Sequence, residues 1–375
     1  MQVMTTKESL ASPLSMVCGA ADTQGAVPIL GMVLLKASET GKLSMLCSDA
    51  GVLARSLADV EVKGQGEVAV DVRRFHDLVR AMPEKQAIEI SLDAGKGGLL
   101  VKSGRSRFRL PTMPAADYPR MASAKGDRLS VTMDARRLVE MISDVSDFMG
   151  VADVRYFLNG ALFLLDSKGL WVVATDGHRM AVSHEPIEGI GDGVVKSVVV
   201  PRKTVLLAKK ALSQGKNVTL SISEKNVQFS LDDGSVLFGN SIDGTYPNWR
   251  AVIPSFEHSV VFEGSAFLNS LAMIVAASDS KERKDIMSSK VELAVGQKSL
   301  KLRRDNEGVC EIDAVSTSDT KQSLFFNSDY LVGAIRSVGA NAEKISIGFG
   351  SATGSIVVKP EGKDYPMAVV MPLRN

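Results

Sequence analysis

A Tyr-Pro pair occurs three times in this chain, at Tyr118-Pro119, Tyr246-Pro247 and Tyr365-Pro366, about 120 to 130 residues apart, and each time it closes the same succession of elements. Before each pair lies a stretch alternating apolar with polar residues, as a half-buried strand does: Ile88, Ile90, Leu92, then Val218, Leu220, Ile222, then Ile345, Ile347, Phe349. Before each strand lies an amphipathic helix, read from Phe75, Leu78, Val79, Met82 and from Leu331, Ala334, Ile335, Val338. The middle copy keeps Val205, Ala208 and Leu212 on one face, with Lys209 at an apolar place. Each unit also opens with a helix, clearest in Leu138, Met141, Ile142, Val145 and in Leu268, Leu271, Ala272, Val275. Solenoid repeats run to roughly 20 to 50 residues and cannot bury a core alone, so units of this length are domains. The 375 residues divide near Gly126, in the polar run Ser123 to Arg128, and at Ser255, giving domains 1–126, 127–255 and 256–375.

Three cores are within reach of a chain that is 45% hydrophobic, and with aromatics at 5% they must rely on Val, Ile, Leu, Ala and Met. No apolar run approaches the roughly 18 residues of a membrane span, and the opening Met1 to Glu8 lacks a signal peptide's apolar stretch, so no membrane partner is expected and the cytoplasm is the expected location. Cys18, Cys47 and Cys310 are scattered, with neither disulfide framework nor Cys-x-x-Cys spacing.

The formal charge is only +1, so the distribution of charge has to be examined instead. The second helix of each unit concentrates it: Arg73, Arg74 and Arg80 in the first, Arg202, Lys203, Lys209 and Lys210 in the second. The third carries Arg336 against Asp329, with Lys281, Arg283 and Lys284 after that unit's opening helix. One such helix reads as a solvated face. Equivalent helices in repeated domains would gather around one axis, and a surface so lined favours phosphate without reading bases.

Gly189-Ile190-Gly191-Asp192-Gly193 lacks the third glycine and the strand-to-helix setting of a dinucleotide fingerprint, and no phosphate-loop lysine motif, nucleophile elbow or paired metal-spaced histidines are present. His178 stands in Val173-Ala174-Thr175-Asp176-Gly177-His178-Arg179-Met180, where Asp-Gly between two apolar runs signals a hairpin. A catalytic Asp176–His178 pair is the competing reading. No cofactor or metal is expected.

Ala174 to Arg179, together with Asp153-Val154-Arg155-Tyr156-Phe157-Leu158-Asn159-Gly160, strongly resembles the bacterial sliding clamps, the β subunits of DNA polymerase III. The resemblance runs the length of the chain, through Pro28 to Gly31, Gly104 to Phe108, Pro114 to Pro119, Val200 to Lys203 and the ending Val369 to Arg374. It implies an α+β fold of three repeated DNA-clamp domains, each with antiparallel sheets outside and two helices on the inner face. Two chains would join head to tail as a homodimeric ring around double-stranded DNA. The implied protein is no enzyme but a processivity factor. Its implied partners are the polymerase III α subunit, the ATP-driven clamp loader, and other polymerases and repair proteins carrying clamp-binding motifs.

Residue by residue, the resemblance places Arg73, Arg80, Tyr156, Arg202 and Lys203 at DNA contacts, with Phe157 where some members have tyrosine. Gln24 and Ala152 depart from the pattern there. It places Leu158, Thr175, Gly177, His178, Arg179, Met180, Pro247, Val252, Asn327, Tyr330, Ser355, Val369, Met371, Pro372 and Arg374 in a groove for short peptide motifs, with Ala251 and Asn375 as departures. The apolar members suit Leu or Phe anchors and the polar ones suit a peptide backbone. Ring closure is expected of a strand Ser103 to Leu110, with Arg105, Arg107 and Arg109 alternating with Ser106, Phe108 and Leu110. The sign of their charge alone makes Glu307, Glu311 and Asp313 its candidate acidic complements in the third domain of the partner chain. Ala276 and Ala277 stand where larger aliphatic residues pack in some members. Less area buried at about 25 cal/mol per Å² predicts a weaker dimer. A diverged copy acting as a peptide-binding adaptor or decoy is the second reading, suggested by Gln24, Ala152, Ala251 and Asn375.

Overall fold

The structure, a computed structural model, describes residues 1–375 apart from 26, 94–96, 120–126, 278–288, 305–307, 319–320, 340–341, 352 and 374–375. Among the described residues there are six α-helices: α1 (Lys7–Cys18), α2 (Val72–Ala81), α3 (Ala135–Ser146), α4 (Arg202–Leu212), α5 (Gly264–Ala277) and α6 (Ser328–Gly339). Each follows directly on a strand and each leads into a run of three antiparallel strands. The triplication seen in the sequence is therefore a doubled one, six strand–helix–three-strand halves in succession.

Polar caps turn several of these strands into helices. Thr6 accepts from the N–H of Ser9 at the start of α1, Asp71 from Arg74 at 2.8 Å before α2, and Asp134 from Arg136 at 2.7 Å before α3. Asn327 does the same for α6, accepting from Asp329 at 2.8 Å. The two halves of a repeat then exchange strands. The opening strand Gln2–Thr5 pairs with Ile88–Leu92 of the other half, and Gly66–Asp71 pairs back with Met32–Ala37. The second and third repeats pair in the same way, Leu129–Asp134 with Asn217–Ile222 and His258–Glu263 with Lys344–Phe349. Neither half can complete its sheets alone.

Contacts divide the chain into two compact units. The first, Met1–Val139 with Lys203–Ser241, holds a five-stranded and a nine-stranded antiparallel sheet. The second, Glu140–Arg202 with Ile242–Asn375, holds a twelve-stranded sheet. The units follow the sheets and not the repeats, because the middle repeat gives strands to both. The expected boundary at Gly126 lies outside the described residues.

Most of the predicted faces are buried. Ile88, Ile90, Val218, Leu220, Ile222, Ile345, Ile347 and Phe349 are fully buried, as are Phe75 and Leu331, Ala334 and Ile335 of the helices. In α5 the face is turned: Phe267, Ser270, Leu271 and Ile274 point inward, whereas Ala272 is exposed. Its sequence is apolar nearly all round, so periodicity could not choose a side.

The Tyr-Pro pairs earn their recurrence by packing. Tyr118 is buried, its hydroxyl accepting from the N–H of Ser48 at 3.0 Å and donating to the carbonyl of Met32 at 3.2 Å. Tyr246 reaches the carbonyl of Val173 at 3.4 Å, and Tyr365 meets Trp171 edge-on at 5.2 Å. Tyr118→Phe strands a buried N–H, so urea unfolding of the first unit should lose about 1–3 kcal/mol. An unchanged midpoint would contradict this role.

Candidate peptide and nucleic-acid interfaces

The hairpin joining Gly169–Thr175 to Arg179–Glu185 is built by the side chain of Asp176. Its Oδ1 accepts the N–H groups of His178 at 2.9 Å and Arg179 at 3.0 Å, and its Oδ2 accepts Arg179 Nε at 2.9 Å. Thr175 Oγ1 donates to the carbonyl of Arg179 at 2.7 Å and accepts from Gly177, whose φ of +88° suits glycine. The expected hairpin is present, with Asp176, Gly177 and His178 between the two strands instead of a two-residue primed turn. Both Asp176 oxygens are engaged by the turn, which argues against a catalytic pairing with His178.

Arg179 is the hub of the surrounding contacts. Its guanidinium lies over Phe148 at 5.0 Å and over Tyr330 at 4.8 Å, and it donates to the carbonyl of Asp147 at 2.8 Å. His178 stacks on Tyr330 with ring centres 6.1 Å apart. The C-terminal segment is stitched to the same place, Met371 N donating to the carbonyl of His178 at 3.0 Å and Leu373 N to that of Phe325 at 2.7 Å. Thr175, Gly177, His178, Arg179, Tyr330 and Met371 are thus brought together.

Beneath them lies an apolar cluster that includes Trp171, Val173, Met180, Trp249, Val357 and Val369. Met180 and Val369 are cross-strand partners and buried, and Leu158 is buried in the short turn Tyr156–Leu158. Val252 and Met371 are 48% and 46% exposed, large apolar side chains left in solvent. Pro247 is exposed, Ser355 and Pro372 are half-buried, and Asn327 is buried as the α6 cap. Arg374 and Asn375 lie outside the described residues. Sequence reasoning passed over Asp153 and Arg155, although both stand in the quoted motif. Hydrogen bonds from Arg155 hold the Asp153 carboxyl down at about 2, and Arg155 also donates to the carbonyl of Asp176 at 3.0 Å.

The candidate DNA contacts separate into free and committed groups. Arg80 is exposed beside a cleft of about 650 Å³ that His76, Lys210 and Lys216 also line, and Tyr156 is 57% exposed with Phe157 edge-on at 5.9 Å. Arg73 donates to Thr23 Oγ1. Arg202 Nη1 donates to the carbonyls of Ser146 at 3.1 Å and Met149 at 3.2 Å, beyond the end of α3. Lys203 Nζ sits 2.5 Å from Asp49 Oδ2. Asp49 organises its own turn, accepting from Gly51 at 2.9 Å and Val52 at 2.7 Å.

The expected single strand Ser103 to Leu110 is instead the corner of a hairpin. Leu99–Ser103 turns at Gly104, φ +59°, and Arg105 into the strand Ser106–Leu110, the last of its sheet. Arg105 is a turn residue; Arg107 and Phe108 are exposed, and Leu110 is buried. Arg109 pairs with Asp93 at 2.6 Å. Ala276, Ala277 and Glu311 are exposed, and Glu307 lies outside the described residues.

Residues 1–122 match the N-terminal domain, and residues 132–248 the central domain, of the DNA polymerase III beta subunit. The chain belongs to the DNA polymerase III beta subunit family. It is 30% identical over 380 residues to the beta sliding clamp of Salmonella typhimurium and 31% identical over 377 residues to that of Vibrio cholerae, with 100% of each chain covered. A crystal structure of the sliding clamp from Pseudomonas aeruginosa bound to griselimycin superposes with a TM-score of 0.90 at 26% identity, again over 100% of both chains. Members of this beta subunit family are processivity factors without a catalytic site. Among the described residues no three His, Cys, Asp or Glu side chains converge to hold a metal, and no helix is long and apolar enough to cross a membrane.

Burial opposes ionisation of Asp49, but hydrogen bonds from Lys203, Val52 and Gly51 outweigh it and hold the carboxyl below its ordinary value. A depressed folded pKa contributes stability above the unfolded value near 3.9, lost as pH falls through the folded one. Because Lys203 is partly exposed, Asp49→Asn should cost only about 0.5–1 kcal/mol at pH 7. The deficit should close in urea titrations below about pH 3.9, and a deficit that persisted into strong acid would contradict the linkage.

Proposed function

We propose that two copies of this chain close head to tail into a ring that encircles double-stranded DNA and tethers the replicative polymerase and repair factors through the groove around Arg179. The observation that carries this reading is a pair of unmatched strand edges. Inside the chain, Val52–Asp59 pairs with Val236–Asn240, and Arg179–Glu185 pairs with Met367–Val370. In each case the third strand of one repeat's first half meets the last strand of the next repeat. By the same rule Ser106–Leu110 and the Gly308–Asp313 stretch of Gly308–Thr317 each await a partner, and each is paired on one side only among the described residues.

Charge favours their meeting across a subunit boundary. Arg105 and Arg107 are exposed on the first edge, and Glu311 and Asp313 on the second. Apolar Phe108 and Val309, 41% and 59% exposed, stand among these charges. A ring holds DNA topologically, so its cationic groups need only give weak, salt-sensitive, sequence-independent attraction to phosphate, which permits sliding. The polymerase III α subunit and the clamp loader fit the groove as carriers of short motifs, whose apolar anchors would rest against Val252 and Met371.

The adaptor reading draws support from one feature. Arg73, Arg202 and Lys203 all spend donors on the protein itself, which leaves Arg80 and Tyr156 the freest of the inherited DNA contacts. Retention after loading onto nicked circular DNA separates the two. A tethering ring stays on the circle and runs off once it is linearised, whereas an adaptor is never retained.

The groove has its own test. Val252→Glu with Met371→Glu places charge where apolar anchors should sit, on side chains already in solvent. Fluorescence anisotropy of a labelled Leu- and Phe-containing motif peptide should then show at least about tenfold weaker binding with little change in thermal midpoint, in line with loss of about two apolar side-chain contacts. Equal affinity for the two proteins would remove these residues from the groove.

A further inference from the structure

The junctions inside the chain end alike, bond for bond. In the turn after Lys42–Ser48, Ser48 Oγ donates to the carbonyl of Val52 at 2.9 Å, Ala50 N reaches Ser48 Oγ at 3.1 Å, and Asp49 Oδ1 accepts from Gly51 and Val52. Thr175, Gly177, Asp176, His178 and Arg179 repeat that set in the hairpin of the groove. Ala50, at φ +72°, stands where Gly177 stands.

Each turn is then closed by the repeat that follows it. Asn240, at the end of Val236–Asn240, donates its N–H to the carbonyl of Gly51 at 2.9 Å. Met371, just after Met367–Val370, donates to that of His178 at 3.0 Å. Two residues on, Ile242 N bonds Val199 O at 2.8 Å and Leu373 N bonds Phe325 O at 2.7 Å, returning the chain to its own repeat's second opening strand.

The first repeat makes the same return, Thr112 and Met113 pairing with Val70 and Ala69 of Gly66–Asp71. Met113 therefore corresponds to Ile242 and Leu373. Counting back two residues puts Pro111 at the place of Asn240 and Met371. Proline has no N–H to donate.

This rests on the ring reading above: we infer that the seam between subunits lacks, at Pro111, the closing backbone hydrogen bond that both internal junctions possess, so that the ring parts there while the chain's own junctions hold. Whatever carbonyl the partner copy presents, Pro111 cannot answer it. The small Ala276 and Ala277, both exposed, act in the same direction.

Sedimentation of the full chain across a dilution series, for the natural protein and for Pro111→Ala, tests this. Restoring the donor at both seams should lower the dimer dissociation constant by about 10- to 30-fold, as expected for two net backbone hydrogen bonds. The new amide at position 111 should be protected from hydrogen exchange in the dimer and open after dilution. Should the alanine variant fail to fold, Pro111→Ser restores the same donor. Equal dissociation constants, or an amide that exchanges freely in the dimer, would overturn the role of Pro111 and leave the ring intact. A natural dimer persisting to sub-nanomolar protein would overturn the weak seam. Chains that stay monomeric at every concentration in both forms would overturn the ring itself.

Discussion

Strand edges must be paired or protected, and that requirement organises this chain more than any other interaction. Each half-repeat supplies an opening strand, a helix and three strands, yet its opening strand is used by the other half. The exchange makes a repeat indivisible. One level up, the third strand of a first half is completed by the last strand of the next repeat, at Val52–Asp59 with Val236–Asn240 and at Arg179–Glu185 with Met367–Val370. A chain of three repeats can satisfy that rule twice and is left with one edge of each kind. The proposed subunit seam would be the same junction formed between two copies.

The proposed groove would be a by-product of such a junction. Wherever two repeats meet, an aspartate-organised turn is closed by the N–H of the following repeat, and the residues on that turn decide what the place can do. At Asp49 the second carboxylate oxygen takes Lys203 and the turn carries Ala50 and Gly51, so the junction is sealed by charge. At Asp176 the second oxygen takes Arg179, whose guanidinium faces Phe148 and Tyr330, and the side chain of Met371, whose N–H bonds His178, remains in solvent. One scaffold thus gives a joint sealed by charge in one place and leaves a large apolar side chain in solvent beside the other.

Much of the fold was legible because most elements have one wet and one dry face. Ile345, Ile347 and Phe349 alternate since only one side of their strand meets the core, and the Asp176-Gly177 hairpin was readable from the positive φ its turn demands. Where a pattern had no contrast it misled. The apolar circumference of α5 hid its buried face, and alternation running on through Gly104 and Arg105 disguised a turn as a strand. The doubling within each repeat was invisible because only its second half is punctuated by Tyr-Pro. At the candidate site the resemblance supplied residues but not their engagements. Arg202 and Lys203 read as free helix charges, yet their acceptors, the carbonyls of Ser146 and Met149 and the carboxylate of Asp49, come from distant stretches that no local pattern announces.

The central claim, that Ser106–Leu110 is completed by a second copy, is tested most directly by hydrogen exchange at its outward-pointing amides, those turned away from Leu99–Ser103, as a function of protein concentration. The account predicts that they exchange slowly when the protein is concentrated and freely once it is diluted below the dimer dissociation constant, while the amides of Val236–Asn240 stay protected throughout. Outward amides that exchange freely at every concentration would contradict it.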